Sequence, residues 1–119
     1  MYKNNEMIIA KNEKGFIKLN PNMLNRHGLI TGASGSGKTV TLKVIAETLS
    51  EAGVPSVAMD IKGDLSGCAK IGEMNENVSK RIEKMELTDF NLKRYPVRFW
   101  DVFGQKGHPV RITVSDMGP

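Results

Sequence analysis

Short apolar runs alternate with polar turns along most of this chain, and two stretches carry the three-to-four-residue apolar spacing of a helix. Met7–Ala10 (MIIA) and Gly15–Leu19 (GFIKL) flank the polar KNEK and predict an entry β-hairpin. Asn20–Asn22 (NPN) breaks the chain, after which Asn25–Thr31 (NRHGLIT) has the apolar run of a buried strand. Beyond Lys38, Leu42, Ile45, Ala46 and Leu49 recur at helical spacing, with Lys43, Glu47 and Glu51 on the opposite side. Gly53 suits the left-handed stop of that helix, and Pro55 stands just past it, where a helix cannot continue. Ser56–Asp60 (SVAMD) again reads as a strand, and KGDLSGCAKIGE as a loop. Val78, Ile82 and Met85 mark one face of a second, lysine-rich helix. YPVRFWDVFG and HPVRITVSD predict two more strands joined around GQKG; in the latter Val110, Ile112 and Val114 alternate with Arg111 and Thr113.

The order strand, glycine loop, helix, strand is that of a right-handed βαβ crossover, so the pattern predicts the front half of an α/β nucleotide-binding domain. At 119 residues the chain can bury one modest core. Its 39% hydrophobic and 25% charged content, without a long apolar run, predicts neither a transmembrane span nor a secretory leader and makes the cytoplasm the expected address. One cysteine, Cys68, has no partner for an internal disulfide and no companion thiols for a metal site. The net charge of +4 favours an anionic partner, yet the basic residues are spread rather than clustered, and no aromatics interleave with them as a stacking surface for single strands would need.

Between strand and helix lies GASGSGKT, Gly32–Thr39, which fills G-x-x-x-x-G-K-[ST] with Gly32, Gly37, Lys38 and Thr39 and adds Gly35. Glycines allow backbone angles closed to other residues and bring main-chain N–H groups up to phosphate oxygens unobstructed. The positive end of the helix dipole points at the same oxygens. Lys38 is placed to neutralise the β- and γ-phosphates as charge develops during transfer, and is the candidate catalytic residue. Thr39 is placed to give its hydroxyl to Mg²⁺, which prefers oxygen ligands. Ala33, Ser34, Ser36 and the Val40 amide complete the predicted cradle. The loop by itself does not separate kinases, GTPases and motor ATPases.

Asn25–Gly67, with its GASGSGKT and DIKGDLSG, and Pro96–Pro119, with FWDVFG and GHPVR, together resemble the HerA-like helicase/ATPases of the FtsK–HerA superfamily, in particular the bacterial HerA-like C-terminal ATPase branch. That resemblance implies a P-loop, RecA-like three-layer α/β fold and ATP hydrolysis with Mg²⁺. It further implies a homo-oligomeric, commonly hexameric, ring and nucleic acid such as DNA as a track. Motors of this kind also use an apolar strand ending in paired acidic residues, and no such run ending in Asp-Glu is present here. VAMD ends in Asp60 but continues with Ile61 and Lys62, so Asp60 is a secondary candidate for the magnesium shell. No sensor segment and no arginine finger is recognisable; Arg98 and Arg111 read as solvated strand residues.

These observations lead us to expect a hairpin extension over residues 1–24 and, over 25–119, the N-terminal part of an ATPase domain without its second acidic motif. Full-length hydrolysis and negligible turnover by this chain alone follow. A small-molecule kinase and a nucleotide-gated assembly module in which hydrolysis is dispensable are the alternatives; no arginine-rich lid supports the first. An Asn-Lys-x-Asp guanine reader is absent, which favours ATP. Lys62 and Asp64 either line the nucleotide or subunit cleft or form an ordinary turn with a capping Asp. His27 and His108 read as turn residues without metal ligation, and Trp100 as a core residue.

Overall fold

Residues 1–111 are described by the computed structural model, which is mixed α/β. Three strands, β1 (Tyr2–Lys3), β2 (Glu6–Asn12) and β3 (Gly15–Leu19), form an antiparallel sheet in chain order. The predicted hairpin is thus present, lengthened by two residues at its end and joined by a short first strand. Its turn is Glu13–Lys14, where Asn12 Oδ1 accepts the Lys14 amide at 2.9 Å. Register runs from Asn12 opposite Gly15 to Met7 opposite Leu19, with an irregularity between Ile8 and Ala10. The NPN break folds as a single 3₁₀ turn, Pro21–Met23, capped by Asn20 Oδ1.

Helix α1 spans Lys38–Glu51. It stops where the glycine predicted: Gly53 is left-handed at φ +76°, its amide donates to Ser50 O, and the Val54 amide reaches back to Leu49 O at 2.9 Å. Strand β2 packs across this helix, and the buried core consists of Met7 and Ile8 with Thr48. The Thr48 hydroxyl donates to Val44 O at 2.7 Å and accepts from the Met1 amine at 2.6 Å, which is how a polar side chain sits there with no exposure.

Several predicted elements differ. Asn25–Thr31 begins in a turn at Asn25–Arg26, and its remainder, like Ser56–Asp60, has no regular secondary structure and pairs with no strand among the described residues; Leu29, Val57 and Met59 are 87%, 96% and 96% exposed. An apolar run specifies a buried strand only through the neighbours that cover it, and no described segment supplies those neighbours. KGDLSGCAKIGE is not a plain loop: Asp64–Ala69 forms a 3₁₀ helix that packs on α1. Helix α2 covers Glu76–Met85 as expected, with Asn75 Oδ1 capping the Val78 amide.

Near the end of the described residues, only β4 (Trp100–Asp101) and β5 (His108–Pro109) are strand, paired in parallel. The segment between them folds on Asp101, whose carboxylate accepts the amides of Phe103, Gln105 and Lys106. These three amides hold that carboxyl below its usual range. Gly107 is required here, because a Cβ would lie 2.6 Å from Phe99 O. Trp100 is not core: it is 66% exposed and meets the His108 ring in a tilted contact at 5.4 Å. Of the alternating run Val110–Val114, Ile112, Thr113 and Val114 lie outside the described residues. Among the described residues no helix is long and apolar enough to cross a membrane.

Candidate functional site

The glycine loop leads from the Asn25–Thr31 segment into the first turn of α1. Within it Ser36 N–H donates to Ala33 O at 3.2 Å, a tight turn that points the chain back toward the helix. Gly35 and Gly37 sit in the left-handed region at φ +78° and +92°, so the turn and the helix entry both use conformations that glycine takes without strain. A Cβ on Gly32 would come within 2.6 Å of Ser36 Oγ and force that hydroxyl to turn away.

Because the residue preceding α1 is glycine, no side chain caps the helix. Its first main-chain bond runs from the Thr41 amide to Gly37 O at 2.9 Å. The amides of Gly37, Lys38, Thr39 and Val40 therefore have no acceptor among the described residues. Unpaired donors at a helix start favour an anion, through direct hydrogen bonds and through the helix dipole. Lys38 Nζ meanwhile donates to Gly32 O at 2.9 Å and Ala33 O at 2.7 Å, folding its ammonium over the same loop. A set of exposed amides, a hydroxyl and an ammonium, with glycine at the close approaches, fits a polyphosphate chemically. Sequence reasoning identified all of these residues; the unpaired state of the four amides is what the structure adds.

Thr39 also lines an open cleft of about 310 Å³, facing Leu42 and the segment Met59–Leu65. Asp60, Lys62 and Asp64 all contribute to its wall. The loop and the DIKGD segment thus meet, and Lys62 and Asp64 face the cleft. Asp60 is the capping residue of the turn: Oδ1 accepts from Gly63 N–H at 2.9 Å and Oδ2 from Leu65 N–H at 2.7 Å. Gly63 makes this turn possible with φ +79°. Each carboxylate oxygen of Asp60 is engaged by the backbone, so the side chain organises the turn.

The segment is fixed to α1 behind the cleft. Lys43 Nζ lies 3.6 Å from where a Gly67 Cβ would be, and Cys68 Sγ is 3.8 Å from Glu47 Oε1. Burial raises the Glu47 carboxyl above its ordinary value and, together with Glu47 itself, raises the Cys68 thiol. Cys68 is half-buried and protonated, a packing residue as its sequence context indicated.

One group that sequence reasoning missed is Glu51, at the far end of α1. Its carboxylate accepts from the Tyr2 amide at 2.5 Å, from Tyr95 Oη at 2.9 Å and from Lys93 Nζ at 2.6 Å. No local pattern marks Glu51 in the sequence, since its partners come from two distant segments, the N-terminus and Lys93–Tyr95. His27, His108, Arg98 and Arg111 are exposed and stand outside the cleft. No group of three or more His, Cys, Asp or Glu side chains that could hold a metal ion occurs among the described residues.

No curated protein and no solved structure matches the chain. The family model described as helicase HerA-like C-terminal matches residues 5–119, nearly the whole length and including both the glycine loop and the DIKGD turn, and the chain belongs to that family.

Proposed function

We propose that the chain is the ATP-binding part of a HerA-like P-loop ATPase whose full-length form hydrolyses ATP and acts on nucleic acid as a homo-oligomeric, hexameric ring. The observation that carries this reading is the run of four unpaired amides, Gly37 to Val40, at the start of α1 beneath the Lys38 ammonium. In this assignment Gly32, Ala33, Ser34, Gly35, Ser36 and Gly37 wrap the polyphosphate, Lys38 contacts its β- and γ-groups, and the Thr39 hydroxyl holds Mg²⁺. Bound Mg²⁺ offsets negative charge on the phosphate oxygens. Lys38 exchanges its two loop carbonyls for phosphate oxygens, trading neutral acceptors for charged ones and so gaining stronger hydrogen bonds.

The exposed segments Asn25–Thr31 and Ser56–Asp60 are, in the same proposal, strands of a RecA-like parallel sheet completed in the full-length ATPase. The paired acidic residues that orient water are supplied there too, and residues 25–119 bind nucleotide without appreciable turnover. A cytoplasmic location fits this role.

Phosphate release by the full-length protein, measured with and without duplex DNA, tests the proposal. DNA is expected to raise the rate, and Lys38→Ala is expected to lower it by about 10²-fold or more, as loss of a charge-stabilising group on the transferred phosphoryl does. Transfer of γ-phosphate to a small acceptor instead of water, or full activity in Lys38→Ala, contradicts it.

A further inference from the structure

The cleft beside Thr39 raises an electrostatic problem that the glycine loop does not solve. Its wall carries two carboxylates, Asp60 and Asp64, and its lining includes Thr39 but none of Gly32 to Gly37. An anionic polyphosphate whose terminal end lies on the Thr39 side would meet those carboxylates wherever the Mg²⁺ proposed at Thr39 does not shield them. One cation, Lys62, stands between them in sequence and lines the same cleft. Among the described residues Lys62 makes no ion pair with either.

Position is set by the backbone. The Asp60 carboxylate clamps the amides of Gly63 and Leu65, closing a turn that has Lys62 near its apex. Downstream the turn runs directly into the 3₁₀ helix Asp64–Ala69, which is seated on α1 at Lys43 and Glu47. Since α1 also begins with Lys38 and Thr39, the two sides of the cleft share one rigid element.

We infer that Lys62 is a second cationic group of the nucleotide site, directed at the terminal phosphate across the cleft from Thr39, and that Asp60 is a positioning residue that holds it there rather than a magnesium ligand. The inference rests on the ATP-binding reading above and assigns to it a residue outside the glycine loop. Lys62 supplies charge only to the end of the polyphosphate, so it discriminates ATP from ADP. Without it, Asp60 and Asp64 face the anion unopposed. Asp60 acts through Lys62, so the two residues form one functional unit.

Calorimetric titration of the chain with ATP and with ADP, each in Mg²⁺ and in chelator, tests this. Lys62→Ala is expected to weaken ATP binding about tenfold, the loss of one charged contact, with a much smaller effect on ADP. Lys62→Arg keeps the charge and is expected to retain most of the affinity. Asp60→Asn, which replaces one acceptor oxygen by a donor but also removes one of the two repelling carboxylates, is expected to weaken ATP binding by less than Lys62→Ala. The double variant Asp60→Asn/Lys62→Ala should then bind no more weakly than Lys62→Ala. The Asp60→Asn loss should be equal with and without Mg²⁺.

Unchanged ATP binding in Lys62→Ala, or equal losses for ATP and ADP, overturns the role of Lys62. A loss in Asp60→Asn that appears only in Mg²⁺, or losses that add in the double variant, overturns the positioning role. Lys38→Ala separates the two levels. If it abolishes binding while Lys62→Ala has no effect, only this inference fails; if it binds as the wild type does, the ATP-binding reading fails with it.

Discussion

At the residue scale, the most connected side chain lies at the opposite end of α1 from the glycine loop. Glu51 is mostly buried, which opposes its ionisation, but the bonds from Lys93, the Tyr2 amide and Tyr95 outweigh that cost and hold its carboxyl below the ordinary 4.5. Burial and the bond to Glu51 push the Tyr95 phenol above its ordinary 10.0. The signs follow by linkage. Glu51, depressed on folding, contributes stability that is complete above about pH 4.5 and is lost as the pH falls through its lower folded value. Tyr95, raised on folding, contributes below about pH 10 and loses that contribution as the pH rises through its folded value. Glu47, raised by burial, works against Glu51 on the acid side, so the difference between wild type and variant is the informative quantity. Denaturant unfolding from pH 6 down to pH 3 should show wild type losing stability faster than Glu51→Gln. Parallel curves would show that the Glu51 bonds contribute nothing to the folded state.

At the element scale, what could be read from sequence was what neighbours within a few residues decide. Helix α1, its Gly53 stop, the hairpin and helix α2 all depend on local spacing or on glycine conformation. The glycine loop was legible for the same reason, since its chemistry is contained within Gly32 to Val40. Strand pairing was not: SVAMD and NRHGLIT carry the right side chains, yet a strand is defined by partners remote in sequence. The 3₁₀ helix Asp64–Ala69 was hidden by Gly67 and its small residues and packs against α1. Trp100, read as a core residue, is exposed instead, on a loop folded around Asp101 and Gly107. A local prediction tests the local account. Helix α2 has 10 residues, none fully buried, so its N-cap matters. Asn75→Ala should cost about 1 kcal/mol and reduce helical circular dichroism. An unchanged spectrum and unfolding midpoint would mean that the cap is dispensable.

At the scale of the whole molecule, a small core contrasts with a large exposed apolar surface. Met7 and Ile8 are the buried hydrophobic residues among those described, while Leu29, Val57, Met59 and Ile61 stand in solvent. The radius of gyration is 16.8 Å. A compact domain of similar length would measure roughly 13–14 Å. What is well formed is the hairpin on α1 and, on the same helix, the glycine loop and the Asp60 turn. The parts proposed to bind phosphate are therefore assembled on one element, and the parts proposed to complete the sheet are left open. Binding without turnover is the behaviour that this division predicts. The most direct measurement is a calorimetric titration of the 119-residue chain with Mg·ATP, run beside Lys38→Ala. The account predicts saturable heat for the wild type, lost in the variant. No heat from the wild type, or the same isotherm from both, would contradict it.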